Sequence, residues 1–164
     1  MKKLVILYIV SFLSFQGCAT IYQPEGITGG FSETQLDENK FRVKFSGNGY
    51  TSNERARNFC WLRCAELTQE NGYNYFSILN ENSDIKKSSY RTPVNAYTNY
   101  YGNHSYTTVY GGHTYRTYKP RWECLIELYH NQDINNLFNA EFVIMSLSQK
   151  YGLENFFRKK NLKR

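Results

Sequence analysis

Phe41-Arg42-Val43-Lys44-Phe45 alternates apolar and basic side chains with a period of two, and a helix-start signal follows within a few residues. That juxtaposition narrows the fold more than any other feature of the chain. Strict alternation belongs to a strand with one buried face, here Phe41, Val43 and Phe45. Gly47-Asn48-Gly49 ends the run, and Thr51-Ser52-Asn53-Glu54 reads as a capping box with Thr51 as N-cap. Beyond it, Ala56, Phe59, Cys60, Arg63, Cys64 and Leu67 recur at helical spacing. They form an inward stripe in which only Arg63 is out of character. Asn71-Gly72 supplies a left-handed stop, and Tyr73 to Leu79 predicts a second strand.

Trp122 to Tyr129 predicts a third strand, with Trp122, Cys124, Ile126 and Leu128 on one face. A last helix is expected from near Asn135 to Gly152, its stripe being Leu137, Ala140, Ile144, Leu147 and Tyr151. The order β-α-β-(long insert)-β-α predicts an α+β fold, a small two-layer domain with its helices packed on one face of a small sheet. If the first two strands share that sheet, the crossover makes them parallel, and the third strand pairs antiparallel with one of them. The expected single domain is 41–152 with an insert at 81–121. Residues 18–40 read as a tether, because Pro24, Gly26, Gly29 and Gly30 break periodicity and Ser32 to Lys40 is polar. Residues 153–164 read as a basic tail. The 164 residues thus leave about 80 in the packed domain, enough for a small core.

The N-terminus reads as an address. Met1-Lys2-Lys3 is a positive n-region, and Leu4 to Phe15 is a mostly apolar run of twelve. A membrane-spanning helix needs roughly 20 apolar residues, so this run has the length of a signal-peptide core. Gly17-Cys18 at its end resembles a bacterial lipobox, with Cys18 as the lipidated first residue after removal of 1–17. Several acyl chains give stable anchoring where one holds only marginally. Ala19 in place of Asp after the Cys resembles the sorting rule for the outer membrane, and that places the chain on its periplasmic side. Cleavage lowers the formal charge from +6 to +4. It also leaves Cys60, Cys64 and Cys124 as an odd set of thiols in an oxidising compartment.

The insert concentrates what is unusual in the composition. Eight of the 15 tyrosines lie between Tyr90 and Tyr118, and Ile85 to Trp122 contains no Asp or Glu. Lys86, Lys87, Arg91, Arg116, Lys119 and Arg121 are interleaved with Tyr97, Tyr100, Tyr101, Tyr106, Tyr110, Tyr115 and Tyr118. Tyrosine offers a flat apolar face and a hydroxyl, suited to stacking on sugars and to protein contacts. With an envelope location, nucleic acid is set aside as a partner, leaving a membrane, an envelope glycan, lipopolysaccharide or a protein. Gly111-Gly112, flanked by Thr107 to Tyr110 and His113 to Tyr115, is expected to close a hairpin.

Chemistry-bearing residues are few, and no cofactor motif is present. The turn Gly47 to Ser52 precedes a helix and could present N–H groups to an anion. It lacks the endings of a P-loop or a dinucleotide fingerprint, so a tight turn with a cap is the expectation. Cys60 and Cys64 lie one helical turn apart, about 5–6 Å between Cβ atoms, too far to bridge each other. Either could pair with Cys124 if the helix packs over that strand, Cys64–Cys124 being the possible disulfide, but burial as small apolar residues is the expectation. No Cys or His stands at zinc-motif spacing, so no metal ligand is assigned. His104, His113 and His130 have no nucleophile or carboxylate in a catalytic arrangement. The residues therefore predict a non-catalytic binding or structural module. The alternative is a periplasmic enzyme or metal-binding protein using these histidines or the three cysteines.

Tyr22 to Val43, Phe45 to Ser52, Cys64-Ala65-Glu66-Leu67-Thr68 and Gly72-Tyr73-Asn74-Tyr75-Phe76 resemble the Caulobacter-named CC0125/CC1285 family of bacterial lipoproteins. The resemblance spans residues 18–80 well and continues weakly through the third strand and last helix. It implies a cell-envelope lipoprotein and carries no catalytic residue with it.

Overall fold

A computed structural model describes residues 19–132 and 135–161, so the lipobox and Cys18 lie outside the described residues. The chain is an α+β domain. β2 (Lys40–Ser46) buries Phe41, Val43 and Phe45, as its alternation requires. β6 (Thr114–Tyr129) pairs antiparallel with it and sets Cys124 opposite Val43. β3 (Tyr75–Arg91) pairs antiparallel with the other side of β6. β2 and β3 are therefore parallel to each other, with the third predicted strand inserted between them and antiparallel to both. β1 (Gly30–Asp37) and β7 (Phe138–Asn139) complete the order β1-β2-β6-β3-β7. β4 (Val94–Tyr101) and β5 (His104–Gly111) form a separate two-stranded sheet.

α1 (Asn53–Glu70) lies over the inner face of the larger sheet. Its stripe is buried from Ala56 to Leu67, Arg63 included, against Val43, Phe45, Cys124, Ile126 and Leu128. The outer face is a ladder of charges. Lys40 and Lys44 sit directly opposite Glu127 and Glu123 and pair with them at 3.4 and 3.2 Å. Such an outer face is at ease in solvent. α2 (Ala140–Tyr151) packs on α1, and Gly152 closes it with φ +66°. That helix starts at Ala140 under an Asn139 cap, later than Asn135, because Phe138 and Asn139 are taken up in β7.

A bulge between Ile78 and Asn80 shifts the β3 register by one residue. Such a slip moves every following side chain to the other face. Glu81 thereby joins Cys124 on the helix side. There it takes a fork of bonds from Arg57 at 2.9 and 2.8 Å and one from Trp61 Nε1 at 2.8 Å. The Arg57 guanidinium also lies over the rings of Trp61 and Trp122, at 4.7 and 5.3 Å.

Four expectations are corrected. The N-cap is Ser52, whose hydroxyl accepts from Arg55 N. Thr51 is buried instead, accepting from Thr20 N at 3.0 Å. Residues 19–40 are not a tether. Thr20 and Tyr22 are buried and β1 pairs with β2 along its length. The polarity of Ser32 to Asp37 is that of an edge strand, exposed from Glu33 onward. The C-terminal stretch is likewise part of the fold: α3 (Glu154–Asn161) follows Leu153, and Leu153 and Phe157 pack against the core. The long insert, finally, which carries no strand in the predicted order, is built of paired strands broken only at 92–93, 102–103 and 112–113.

Candidate functional site

β3 and β6 stay paired beyond the sheet to Arg91↔Thr114, and β4 and β5 resume the pairing at Val94↔Gly111. Residues 85–120 therefore make one two-stranded ribbon, interrupted at Thr92-Pro93 and Gly112-His113. Proline cannot donate to a ladder, and Gly111 and Gly112 take positive φ at the break, +93° and +74°. A Cβ on Gly111 would sit 1.9 Å from the Pro93 carbonyl oxygen. The two glycines thus mark a kink rather than the expected hairpin turn. The chain reverses at Gly102-Asn103, between Tyr101 and His104. Gly102 there has φ +61°, as the first residue of a type II′ turn demands.

Register sorts the tyrosines. Directly opposed residues of an antiparallel pair share a face, and the face alternates along each strand. The pairs Tyr101↔His104, Asn99↔Tyr106, Tyr97↔Thr108 and Asn95↔Tyr110 therefore line one side of the β4–β5 ribbon. Tyr97, Tyr101, Tyr106 and Tyr110 all fall there, each between 57% and 69% exposed. Their rings meet edge-on across the strands, Tyr97 with Tyr110 at 6.1 Å and Tyr101 with Tyr106 at 6.4 Å. The opposite side carries Tyr100 among Ala96, Thr98, Thr107 and Val109, with a hydroxyl bond of 2.9 Å between the threonines.

The stem of the ribbon is basic. Lys86 stands directly opposite Lys119, an arrangement of like charges that destabilises a strand pair by itself. Neither makes an ion pair among the described residues. Both line a small cleft of about 150 Å³ with Arg121, Glu25 and the 26–29 loop. A wider groove of about 830 Å³ runs between the Asn48-Gly49-Tyr50 turn and the stem. Tyr115, Arg116, Tyr118 and Lys119 line it, as does Tyr50, which sequence reasoning passed over as part of a turn. Its proximity to the stem is not encoded in any local pattern.

N–H groups of the Gly47 to Ser52 turn bond within the protein, Gly47 N to the Pro120 carbonyl at 2.8 Å among them. Asn48 N reaches Thr20 Oγ1 at 2.9 Å, and Tyr50 N reaches Asn48 Oδ1 at 3.0 Å. It is a tight turn plus a cap. The histidines are not brought together. His104 sits at the ribbon tip, His113 at the kink, and His130 stacks on Tyr73 at 4.2 Å beyond the end of β6.

The three cysteines are brought together, which their spacing did not announce. Cys60 and Cys64 straddle Cys124 because α1 crosses β6 there. All three are free, buried thiols, as expected of small apolar residues, and the possible Cys64–Cys124 disulfide is not formed. Cys60 Sγ lies 3.6 Å from Cys124 Sγ, and all three sulfurs are within 4.8 Å of one another. S–H bonds from Cys60 and Cys64 hold the Cys124 thiol below its ordinary range. Bonding to Cys124 pushes Cys60 up, and burial pushes Cys64 up.

The chain matches no protein-family model, no curated protein and no solved structure. Among the described residues no helix is long and apolar enough to cross a membrane.

Proposed function

We propose that the chain is a cell-envelope lipoprotein, anchored in the outer membrane through Cys18 and facing the periplasm, that binds an anionic envelope glycan through its ribbon without catalysing a reaction. The observation that carries this reading is the four-tyrosine face of β4–β5, which stays exposed among the described residues. Aromatic faces stack on sugar rings, and the stem lysines Lys86 and Lys119, which make no ion pair among the described residues, attract phosphate or carboxylate groups together with the stem arginines. The lipobox-like N-terminus and the resemblance to envelope lipoproteins support the location.

Purified chain incubated with lipopolysaccharide or peptidoglycan should co-sediment. Replacing Tyr97 and Tyr110 by Ala should weaken binding about tenfold or more, since stacking contributes roughly 1–3 kcal/mol per ring. Undiminished glycan binding by that double variant overturns the reading, as does retention of a protein alone. The anchor has a separate test. Acylated mass should disappear in Cys18→Ser, and an unchanged mass rejects lipidation.

A further inference from the structure

The cysteine cluster plays no part in the ribbon's proposed role. Among the described residues it is the one group of three metal-ligating side chains. We propose that Cys60, Cys64 and Cys124 form a trigonal thiolate site for a soft monovalent cation, Cu(I).

The dimensions fit. A triangle with sides from 3.6 to 4.8 Å has its centre about 2.1–2.8 Å from each corner. Metal–thiolate bonds are about 2.3 Å. An ion at the centre reaches all three sulfurs after side-chain shifts of a few tenths of an ångström. The scaffold is rigid: two ligands lie one turn apart on α1, and the third is on the central strand β6, opposite Val43. Sites built on such elements hold their geometry better than sites on loops.

The donor set also selects the ion. Thiolates favour soft Cu(I). Structural Zn(II) takes four ligands, and no fourth Cys, His, Asp or Glu joins this group among the described residues. The carbonyls of Val43 and Trp122 lie 3.5 and 3.8 Å from Cys60 Sγ. All three cysteines are fully buried, which keeps water out of a fourth position. On binding, three S–Cu bonds replace three S–H bonds and the protons leave to solvent. The filled site is anionic, and Arg57 lies on its side of the sheet, bonded to Glu81, the residue directly opposite Cys124. Because the sulfurs are enclosed, the ion enters as the chain folds or when α1 opens.

The full chain, produced with copper supplied and purified anaerobically in detergent, should carry one copper per chain. X-ray absorption should show three sulfurs at about 2.3 Å. Cys60→Ala, Cys64→Ala and Cys124→Ala should each hold at least tenfold less copper, and Cys18→Ser as much as the parent. Melting curves establish which variants fold. Copper retained by a folded Cys64→Ala overturns the proposal, as do zinc recovered in place of copper or a folded parent chain that binds none. Should every alanine variant unfold, the parent's absorption spectrum decides, because two-sulfur or nitrogen-containing coordination is equally fatal.

Discussion

Arg63 of α1 grips Glu33 of β1, with Nη2 2.8 Å from Oε1 and Nε 3.3 Å from Oε2. This ion pair fastens the edge strand to the helix. The same guanidinium bonds Glu66 at 3.1 Å and Glu70 at 3.1 and 3.0 Å, and it lies 4.8 Å over the Phe31 ring. Burial alone would make this cation easier to deprotonate, but Glu33 and Glu70 hold its proton more tightly than usual. Tyr22 completes the network by donating to Glu66.

Removing the cation takes its charge away from three carboxylates beside a buried face. Arg63→Ala should therefore cost about 3–5 kcal/mol. Glu33→Gln, which leaves two carboxylates for the arginine, should cost about 1 kcal/mol. Urea denaturation measures both. Limited proteolysis should cut Arg63→Ala first within β1, since that strand loses its clasp. Equal costs for the two variants contradict this account.

Two glycines separate close approach from mere turn geometry. Gly29 has φ +97°, and a Cβ there would meet the Ser46 carbonyl oxygen at 2.1 Å. Gly72 has φ +79° with nothing within 4 Å. Gly72→Ala should cost about 1–2 kcal/mol, the left-handed penalty alone. Gly29→Ala should cost more, because the 26–29 loop must also move off β2. Thermal melts of the two variants rank them, and the reverse order would refute the contact.

The alternation of β2, the stripe of α1, the Gly72 stop and the inner face of β6 were legible because each is a local period tied to one buried face. β1 was not, because an edge strand with one anchored end looks as polar as a linker. The cause of its order, Arg63, appeared in the sequence only as a misfit in an apolar stripe. The β3 bulge has no sequence signature, yet it decides which side Glu81 and the following residues occupy. The tyrosine excess was visible, but the division of its five β4–β5 members into a four-ring face and a lone Tyr100 depends on the Gly102-Asn103 turn. The cysteine cluster needed the crossing of α1 over β6, a tertiary fact.

Glu81 makes the domain acid-sensitive. Burial pushes its carboxyl up, but the Arg57 fork and the Trp61 N–H outweigh that and hold it below the usual carboxylate range. A folded-state value below the unfolded one means stability that is present above about pH 4.3. It is lost as pH falls through the folded value. Glu81→Gln should lower stability near neutrality by about 1 kcal/mol and lose less of it between pH 5 and 3 than the parent. Urea midpoints at several pH values test this, and identical acid slopes count against it.

The ribbon should be separable from the domain that carries it. Arg91 pairs directly with Thr114, and the β4–β5 sheet beyond them buries no side chain. A two-stranded hairpin contributes little stability of its own. Replacing residues 92–113 by Asn-Gly, a two-residue turn suited to a hairpin, should therefore leave the core intact and change stability by less than about 1 kcal/mol. The same variant should lose glycan binding, because all four tyrosines of the exposed face go with the excised segment. Calorimetry and co-sedimentation on one preparation address both halves. A collapse in melting temperature would show that the ribbon supports the fold, and full binding by a stable variant would move the contact surface to the stem.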